Sequence, residues 1–293
     1  MKNIIKVFGL IGLALIIIVS CQKNDKINND NFGILRISIT DDPFPLEFIE
    51  EANVVITKVE IREKDDHDGY GNEEDNGYPF MTLMEGDLEF NLLELRNGVT
   101  AELLEMDIPV GDYDLIRLYV GETSIVVDNE EYKVKVPSGP QTGIKIFIEP
   151  AISVTGGLTS ELLLDFSLEK SFILQGNMHT PAGIKGFIFK PVIRAVNNST
   201  AGTVEGVVTD TASVALKDAY VWIEAADTVF ASAYTDTTGF YAITGIPEGT
   251  HPMFATKENY DTVMYSDVEI KAANLTVQDF ILTPQEEEED DGE

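Results

Sequence analysis

A period of two in the apolar residues constrains this chain more than any other feature of its sequence. Leu35, Ile37 and Ile39 alternate with polar side chains, and the same alternation recurs in residues 55–61, 115–120, 132–136, 144–148 and 162–168. Because successive side chains of a strand point to opposite faces of a sheet, this period predicts half-buried β-strands. With 44% hydrophobic residues, the chain has enough apolar material for a packed core.

The alternation falls into two blocks, which we interpret as two domains. Strand-like segments fill residues 33–196 and 203–284, and a polar stretch of small residues at 197–202 separates them. The sequence therefore predicts an all-β protein with two antiparallel β-sandwich domains in tandem. We expect the domains to fold independently, because the link at 197–202 offers few groups for packing. Short helical turns are expected at residues 91–95 and 101–106.

The N-terminus has the composition of an export signal. Lys2 and Lys6 precede an apolar run that contains glycines and is too short for a permanent membrane span. The run ends in Ile18-Val19-Ser20-Cys21, which resembles the lipobox of bacterial lipoproteins. The resemblance implies that residues 1–20 are a signal peptide, that the chain is cut before Cys21, and that acyl chains on Cys21 hold it in membrane lipid. Residues 21–32 then form a lipidated tether.

The charged stretch at residues 22–26 suggests a destination. It is similar to signals that send some Gram-negative lipoproteins to the outer face of the outer membrane, whereas the alternative is an ordinary solvated tether. We expect an outer-membrane lipid anchor with display at the cell surface. The sequence leaves the choice between inner and outer leaflet open, and also the oligomeric state.

Charge excludes one class of partner. The formal net charge is −31, and such a surface repels phosphate backbones, which argues against nucleic-acid binding. Part of the acid lies at residues 285–293, a tail expected to stay disordered by self-repulsion.

Several short motifs of the first block occur in order over nearly the whole stretch from Gly33 to Val196. They are Ile39-Thr40-Asp41-Asp42-Pro43, Asn91-Leu92-Leu93-Glu94-Leu95, Ile108-Pro109-Val110-Gly111-Asp112-Tyr113, Leu164-Asp165-Phe166 and Lys190-Pro191-Val192-Ile193-Arg194-Ala195. In these motifs the block resembles a family of bacterial lipoprotein domains known as DUF4382. The family implies no assigned activity.

The second block contains four further motifs. They are Gly206-Val207-Val208-Thr209-Asp210, Leu216-Lys217-Asp218-Ala219-Tyr220-Val221, Thr235-Asp236-Thr237-Thr238-Gly239-Phe240-Tyr241 and Gly245-Ile246-Pro247-Glu248-Gly249-Thr250. In these motifs the block is similar to carboxypeptidase regulatory-like domains, which have a transthyretin-like or carbohydrate-binding-like sandwich fold. The resemblance implies an accessory role outside the cytoplasm and does not imply peptidase activity.

No catalytic constellation is evident in the sequence. His67, His179 and His251 lie in separate segments without metal-ligand spacing, and each is expected to occupy a solvent or turn position. Carboxylate pairs are too abundant in so acidic a chain to indicate glycosidase chemistry. We expect no enzymatic activity, no catalytic residue, no cofactor and no metal site.

One acidic segment leaves a calcium hypothesis open. Residues 63–76 interleave seven Asp and Glu residues with glycines, and oxygen ligands on a flexible turn suit calcium. However, Tyr70 stands at the fifth position of the partial calcium motif, and acidic hairpin insertions often serve solubility.

Tyr220 and Trp222 are the candidate ligand-binding residues. In the motif 219–223, alternation places Ala219, Val221 and Ile223 on the core face and the two aromatic rings on the opposite face. An outward aromatic pair favours contact with a ligand, and sugar rings have apolar faces that stack on such surfaces. Alternatively, the pair packs against the first domain or against Phe240.

Two functions compete at this stage. The first is a non-catalytic binding or adhesion module that contacts a glycan or a cell-surface protein. The second is a structural spacer or accessory domain without its own ligand. A hydrolase in the first domain lacks any supporting motif.

Overall fold

A computed structural model describes residues 31–42, 49–64, 79–134, 136–137, 142–176, 183–225 and 228–285. Its first part contains eleven strands, one 3-10 turn at Leu92–Glu94 and one short helix. The elements are β1 (Phe32–Asp42), β2 (Ile49–Glu63), β3 (Met81–Asn91), β4 (Ala101–Pro109), β5 (Gly111–Val127), β6 (Glu130–Lys133), β7 (Ile144–Val154), β8 (Thr159–Ser167), α1 (Leu168–Ser171), β9 (Phe172–Gly176), β10 (Ile184–Phe189) and β11 (Ile193–Asn197).

The second part consists of strands alone among the described residues. They are β12 (Ala201–Asp210), β13 (Tyr220–Ala225), β14 (Thr228–Tyr234), β15 (Phe240–Pro247), β16 (Gly249–Thr256), β17 (Val263–Ile270), β18 (Leu275–Val277) and β19 (Phe280–Leu282). The chain is therefore all-β, as the period of two predicts.

The first domain is built on one long sheet with the strand order β3-β2-β5-β7-β11-β8-β1-β4, and β6 pairs with β5 beside this path. In β1, Leu35, Ile37 and Ile39 are fully buried, so the sequence alternation marks the inner face of the strand. Inward side chains of β1 and β8 share one core with those of β2 and β5. The sheet thus folds over itself into two layers, as in a sandwich.

The pairing is less uniform than the sequence predicts. Most neighbouring strands are antiparallel, but β1 runs parallel to β8, and β11 runs parallel to β7. In the second domain β12 pairs in parallel with β18 and then with β19. Alternation reports which face of a strand is buried and carries no information about strand direction, so a purely antiparallel pattern could not follow from it.

The second domain is a sandwich of two sheets. One has the order β15-β12-β18, with β19 also on β12, and the other has the order β14-β13-β16-β17. Their inner faces enclose a core that includes the fully buried Tyr241 and Phe280. The hydroxyl of Tyr241 donates a hydrogen bond to the carbonyl oxygen of Gln278 at 2.6 Å, which satisfies its polar group at the core margin.

The link between the domains is shorter than expected. Asn197 ends β11 and Ala201 begins β12, so only residues 198–200 connect the two strands. Ala201 is buried in a small apolar cluster with Leu163 and Val196 of the first domain. The expectation that residues 197–202 offer few packing groups is wrong, because β12 starts while the chain is still against the first domain.

The two predicted helical turns have different outcomes. Residues 91–95 contain the 3-10 turn. Asn91 caps its N-terminus, because Asn91 Oδ1 accepts a hydrogen bond from the Leu93 amide at 3.2 Å. Residues 101–106 instead begin β4, which pairs with β1. Ala, Leu, Glu and Met favour helices locally, and pairing with the edge of β1 overrides that preference.

Several predicted features lie outside the described residues. They are the signal peptide with Cys21, most of the acidic segment 63–76, His67, His179 and residues 286–293. In the part of the chain that the structure describes, no helix is long and apolar enough to cross a membrane.

Candidate binding surface and domain joint

An aromatic row crosses the outer face of the sheet β14-β13-β16-β17. Ala219, Val221 and Ile223 are fully buried, and the alternate residues Tyr220 and Trp222 are half-buried on the other face. Strand register adds Tyr234, which is opposite Tyr220, and Phe254, which is opposite Trp222. We call these four residues, Tyr234, Tyr220, Trp222 and Phe254, the aromatic row.

The rings of the aromatic row pack against one another. Trp222 and Phe254 are stacked with centroids 4.9 Å apart and 6° between planes. Tyr220 and Trp222 are stacked at 5.2 Å and 22°, and Tyr220 meets Tyr234 at 5.0 Å. Coplanar rings side by side would need centroids more than about 6 Å apart, because carbon atoms keep about 3.5 Å from each other. Trp222 therefore turns ring face toward its neighbours.

Polar and apolar groups border this row. The Trp222 indole Nε1 donates a hydrogen bond to Glu224 Oε1 at 3.1 Å, so a carboxylate lies beside the ring. Met264 pairs with Phe254 from β17 and is 53% exposed, which continues the apolar surface to the last strand. Phe240 belongs to the other sheet, where β15 pairs with β12. The ring that stacks on Trp222 from the neighbouring strand is therefore Phe254 and not Phe240. The sequence interpretation did not consider Phe254.

A second set of residues joins the two domains on the outer face of β8 and β11. Arg194 on β11 is opposite Asp165 on β8, and its Nη2 donates to Asp165 Oδ2 at 2.5 Å. The guanidinium of Arg194 lies 3.9 Å over the ring of Phe230, which belongs to β14 of the second domain. Burial raises the pKa of the Asp165 carboxyl above its ordinary value, and the charge of Arg194 offsets only part of this effect.

Apolar contacts and a small polar cleft complete this joint. Gly245 lies directly on the first domain, since a Cβ there would be 3.2 Å from Leu163 Cδ2. Beside it, the cleft is lined by groups from both domains: Thr40, Asp41, Asn97, Gly98 and Asp165 from the first, and Ser232, Ala242, Ile243 and Thr244 from the second. The domains are therefore in close contact through buried ionic, aromatic and aliphatic groups.

The outer face of β2 and β5 is instead held by charges around Glu60. Lys58 Nζ lies 2.7 Å from Glu60 Oε1, and the Tyr119 hydroxyl donates to Glu60 Oε2 at 3.0 Å. Arg117 Nη1 is 3.6 Å from the same carboxylate. Burial alone would raise the pKa of Glu60, but the hydrogen bonds from Lys58 and Tyr119 outweigh it and hold the pKa below its usual value.

Sequence reasoning found two members of the aromatic row and missed the others. Alternation within β13 is enough to place Tyr220 and Trp222 on one outward face. Tyr234 and Phe254 show the same alternation, with buried Ala233, Met253 and Ala255 beside them. That signal was available in the sequence, but only strand register could have joined the three segments.

Carboxylates are abundant among the described residues, but they are not grouped as a metal site requires. The described residues contain no cluster of three or more His, Cys, Asp or Glu side chains arranged to hold a metal ion. His251 Nε2 lies 2.9 Å from the carbonyl oxygen of Pro247, four residues earlier in the hairpin. The calcium hypothesis for residues 63–76 stays a prediction.

A comparison with family models identifies the first domain. The model described as "Domain of unknown function (DUF4382)" matches residues 32–191, more than half of the chain. The chain belongs to the DUF4382 family. In this DUF4382 protein a second model, the carboxypeptidase regulatory-like domain, matches residues 203–283. Both resemblances expected from the sequence motifs are confirmed. No curated protein matches the chain.

Solved structures with a similar chain course are distant from this DUF4382 protein. One is a protein of Bacteroides uniformis that is named as a proposed carbohydrate-binding protein. It is 17% identical, with 28% of this chain and 41% of that chain covered and a TM-score of 0.25. A type II cohesin–X-dockerin complex from Acetivibrio cellulolyticus is 23% identical, with 28% and 56% covered and a TM-score of 0.23. The chain thus spans about half the length of these two structures.

The shaft pilin of Lactobacillus rhamnosus GG is matched over a longer stretch. It is 11% identical, with 88% of this chain and 98% of that chain covered and a TM-score of 0.26.

Proposed function

We propose that this DUF4382 protein is a lipid-anchored, surface-displayed, non-catalytic binding module whose aromatic row contacts a glycan. The observation that carries the proposal is the row itself. Four half-buried rings cross three strands on an outer sheet face of the second domain, and outward aromatic groups on this scale mark contact surfaces.

The geometry of the row defines how a sugar would meet it. Trp222 is stacked between neighbours, so the ligand contacts a continuous aromatic surface and not an isolated indole face. Apolar C–H groups of a sugar ring fit such a surface, and the Glu224 carboxylate beside Trp222 can accept hydrogen bonds from sugar hydroxyls.

The anchor in this proposal is Cys21. Ser20 and Ile18-Val19 before it have the pattern that lipoprotein processing requires, and two or more acyl chains hold a protein stably in a membrane. The outer membrane, facing the cell exterior, is the proposed location because of the charged residues 22–26.

The position of the second domain supports display. Leu163, which contacts Gly245, is opposite Ser38 on β1, and the cleft at the joint includes Thr40 and Asp41. These positions lie about 20–30 Å along the strand from Phe32, where the tether enters, at about 3.3 Å per residue. The second domain is thus docked beside the half of β1 that is remote from the anchor.

A binding screen on residues 22–293 tests the glycan contact. Trp222 is the single tryptophan, so its fluorescence reports ligand binding directly in a titration against an array of oligosaccharides. We expect a bound glycan to perturb this emission and the Tyr220→Ala variant to lose binding. Phe240→Ala, on the outer face of the other sheet, is the matched control and should bind normally. Equal binding by both variants would contradict the proposal.

Metabolic labelling with a radioactive fatty acid tests the anchor. The mature wild-type chain should carry label and sediment with membranes, whereas Cys21→Ala should be unlabelled and released. An unlabelled wild-type chain would overturn the lipid anchor and leave a simple secreted protein.

The second candidate function is a structural spacer, and the tight joint between the domains favours it. Arg194, Asp165 and Phe230 fix one domain on the other, as a rigid support requires. A spacer predicts that no glycan and no cell-surface protein binds the soluble body, and that outer-face variants leave its biological role intact.

A further inference from the structure

Three chain segments meet at one end of the first domain, where β1 begins. The Val110 amide donates to the carbonyl oxygen of Asn31 at 3.0 Å, and the Gly157 amide donates to that of Phe32 at 3.0 Å. The Ile34 amide donates to the carbonyl oxygen of Leu158 at 2.9 Å. The start of β1, the β4–β5 turn and the β7–β8 turn therefore form one compact end.

This end exposes apolar side chains. Phe32 is 40% exposed, Val110 is 39% exposed and Leu158 is 61% exposed, although the backbone around each is fixed by hydrogen bonds. We call these three residues the apolar tip. The three side chains belong to three different segments, which the backbone hydrogen bonds bring together at this end.

The three short segments of the apolar tip carry no charge themselves, although Asp112 follows Gly111 and the Glu63 carboxylate lies against Gly111. Residues 31–33, 109–111 and 155–159 contain no ionisable side chain, whereas the chain as a whole has a formal net charge of −31. Charged side chains oppose insertion into a membrane interface, and exposed aromatic and aliphatic side chains favour it. The composition of this end thus fits a lipid surface.

The short stretch of chain between Cys21 and the apolar tip favours the membrane as the partner of the tip. Only eleven peptide units separate Cys21 from Phe32, which corresponds to at most about 40 Å of extended chain. A domain held at this point by a lipid on Cys21 stays within reach of the bilayer, and the end of the domain nearest the tether is the apolar tip.

We propose that the apolar tip, Phe32, Val110 and Leu158, rests in the interface of the membrane that holds Cys21. This proposal rests on the lipid anchor proposed above and adds an orientation to it. With the tip on the bilayer, β1 runs away from the membrane, and the aromatic row is carried on the domain docked toward its far end.

Site-specific fluorescence on the acylated full-length protein tests the orientation. Cys21 is the only cysteine and its sulfur is blocked by acylation, so Leu158→Cys provides a single reactive thiol for a polarity-sensitive dye. Ile281→Cys in the second domain, where Ile281 is 58% exposed, is the matched control. Both variants are reconstituted into phosphatidylcholine vesicles with and without lipids that carry a quencher at the headgroup.

The expected result is a blue-shifted dye at position 158 that the lipid quencher suppresses, and an unshifted, unquenched dye at position 281. Water-like emission at both positions in acylated protein, with acylation verified by mass spectrometry, would overturn the tip contact while the anchor stands. Mature protein without acyl chains would overturn both proposals.

A last control separates lipid from protein contact. Leu158→Cys is labelled in a Cys21→Ser background and examined in buffer without vesicles, where the dye should remain water-like. A blue shift that grows with protein concentration would mean that a second copy covers the tip, and would overturn the membrane assignment.

Discussion

Two outer sheet faces of this protein carry residues unsuited to solvent, and only one of them is covered. On β8 and β11, Leu163, Asp165 and Arg194 lie beneath the second domain and are sealed by Phe230 and Gly245. On β13 and β16, the aromatic row stays half-exposed. The covered face of the first domain packs against the second domain of the same chain. The open face is the one that we propose contacts another molecule.

The largest effect is expected from breaking the covered face at Asp165. This carboxylate is buried against Arg194, so Asp165→Ala leaves a partly buried cation without its partner. We expect the free energy of unfolding to fall by about 3–5 kcal/mol. Urea denaturation at neutral pH measures the change.

A matched double variant distinguishes pairing from packing. In Asp165→Leu/Arg194→Met the charge is removed from both partners, and much of the lost stability should return, because apolar pairs of similar volume often replace buried ion pairs without cost. A double variant as unstable as Asp165→Ala would mean that the joint depends on shape and not on charge.

Trp222→Ala sharpens the comparison from the open face. Its ring makes two stacked contacts, each contributing about 0.5–1.5 kcal/mol beyond apolar burial, so a loss of about 2–3 kcal/mol in unfolding free energy is expected. Thermal and urea melts followed by circular dichroism give the value. A loss well under 1 kcal/mol would indicate an isolated exposed platform.

Phe230→Ala tests the contact between the two domains. Removing the ring that lies on Arg194 should cost about 1–2 kcal/mol, and Phe230→Leu should cost less because it keeps apolar contact. A double-mutant cycle with Arg194→Met isolates the interaction. A coupling energy near zero would show that Arg194 is held by Asp165 alone.

The smallest effect on stability is expected at Glu60, whose ionic contacts lie on the outer face of β2 and β5. Its pKa is lower in the fold than in the unfolded chain, so its ionised form stabilises the fold above the ordinary glutamate pKa, and this contribution disappears as pH falls through the folded pKa. The stability gap between wild type and Glu60→Gln should therefore narrow on acidification from about pH 6 to about pH 3. A gap that is constant over this range would contradict the assignment.

The sequence could predict faces better than neighbours. Alternation identified the buried side chains of β1 and the outward position of Tyr220 and Trp222, because both depend on residues adjacent in the chain. The contacts of Trp222 with Phe254 and of Arg194 with Phe230 depend on strand register and domain docking. Helix-favouring residues at 101–106 misled for the same reason, since pairing with β1 decides their conformation.

The parallel pairing of β1 with β8 has a consequence for how the chain is made. Arg36 on β1 reaches Glu161 on β8 across 125 residues of sequence. Strand β1, the first that the structure describes, therefore has no parallel neighbour until more than 100 further residues have been synthesised. Loops of this length close slowly, so the first domain should complete its sheet late and over a high kinetic barrier.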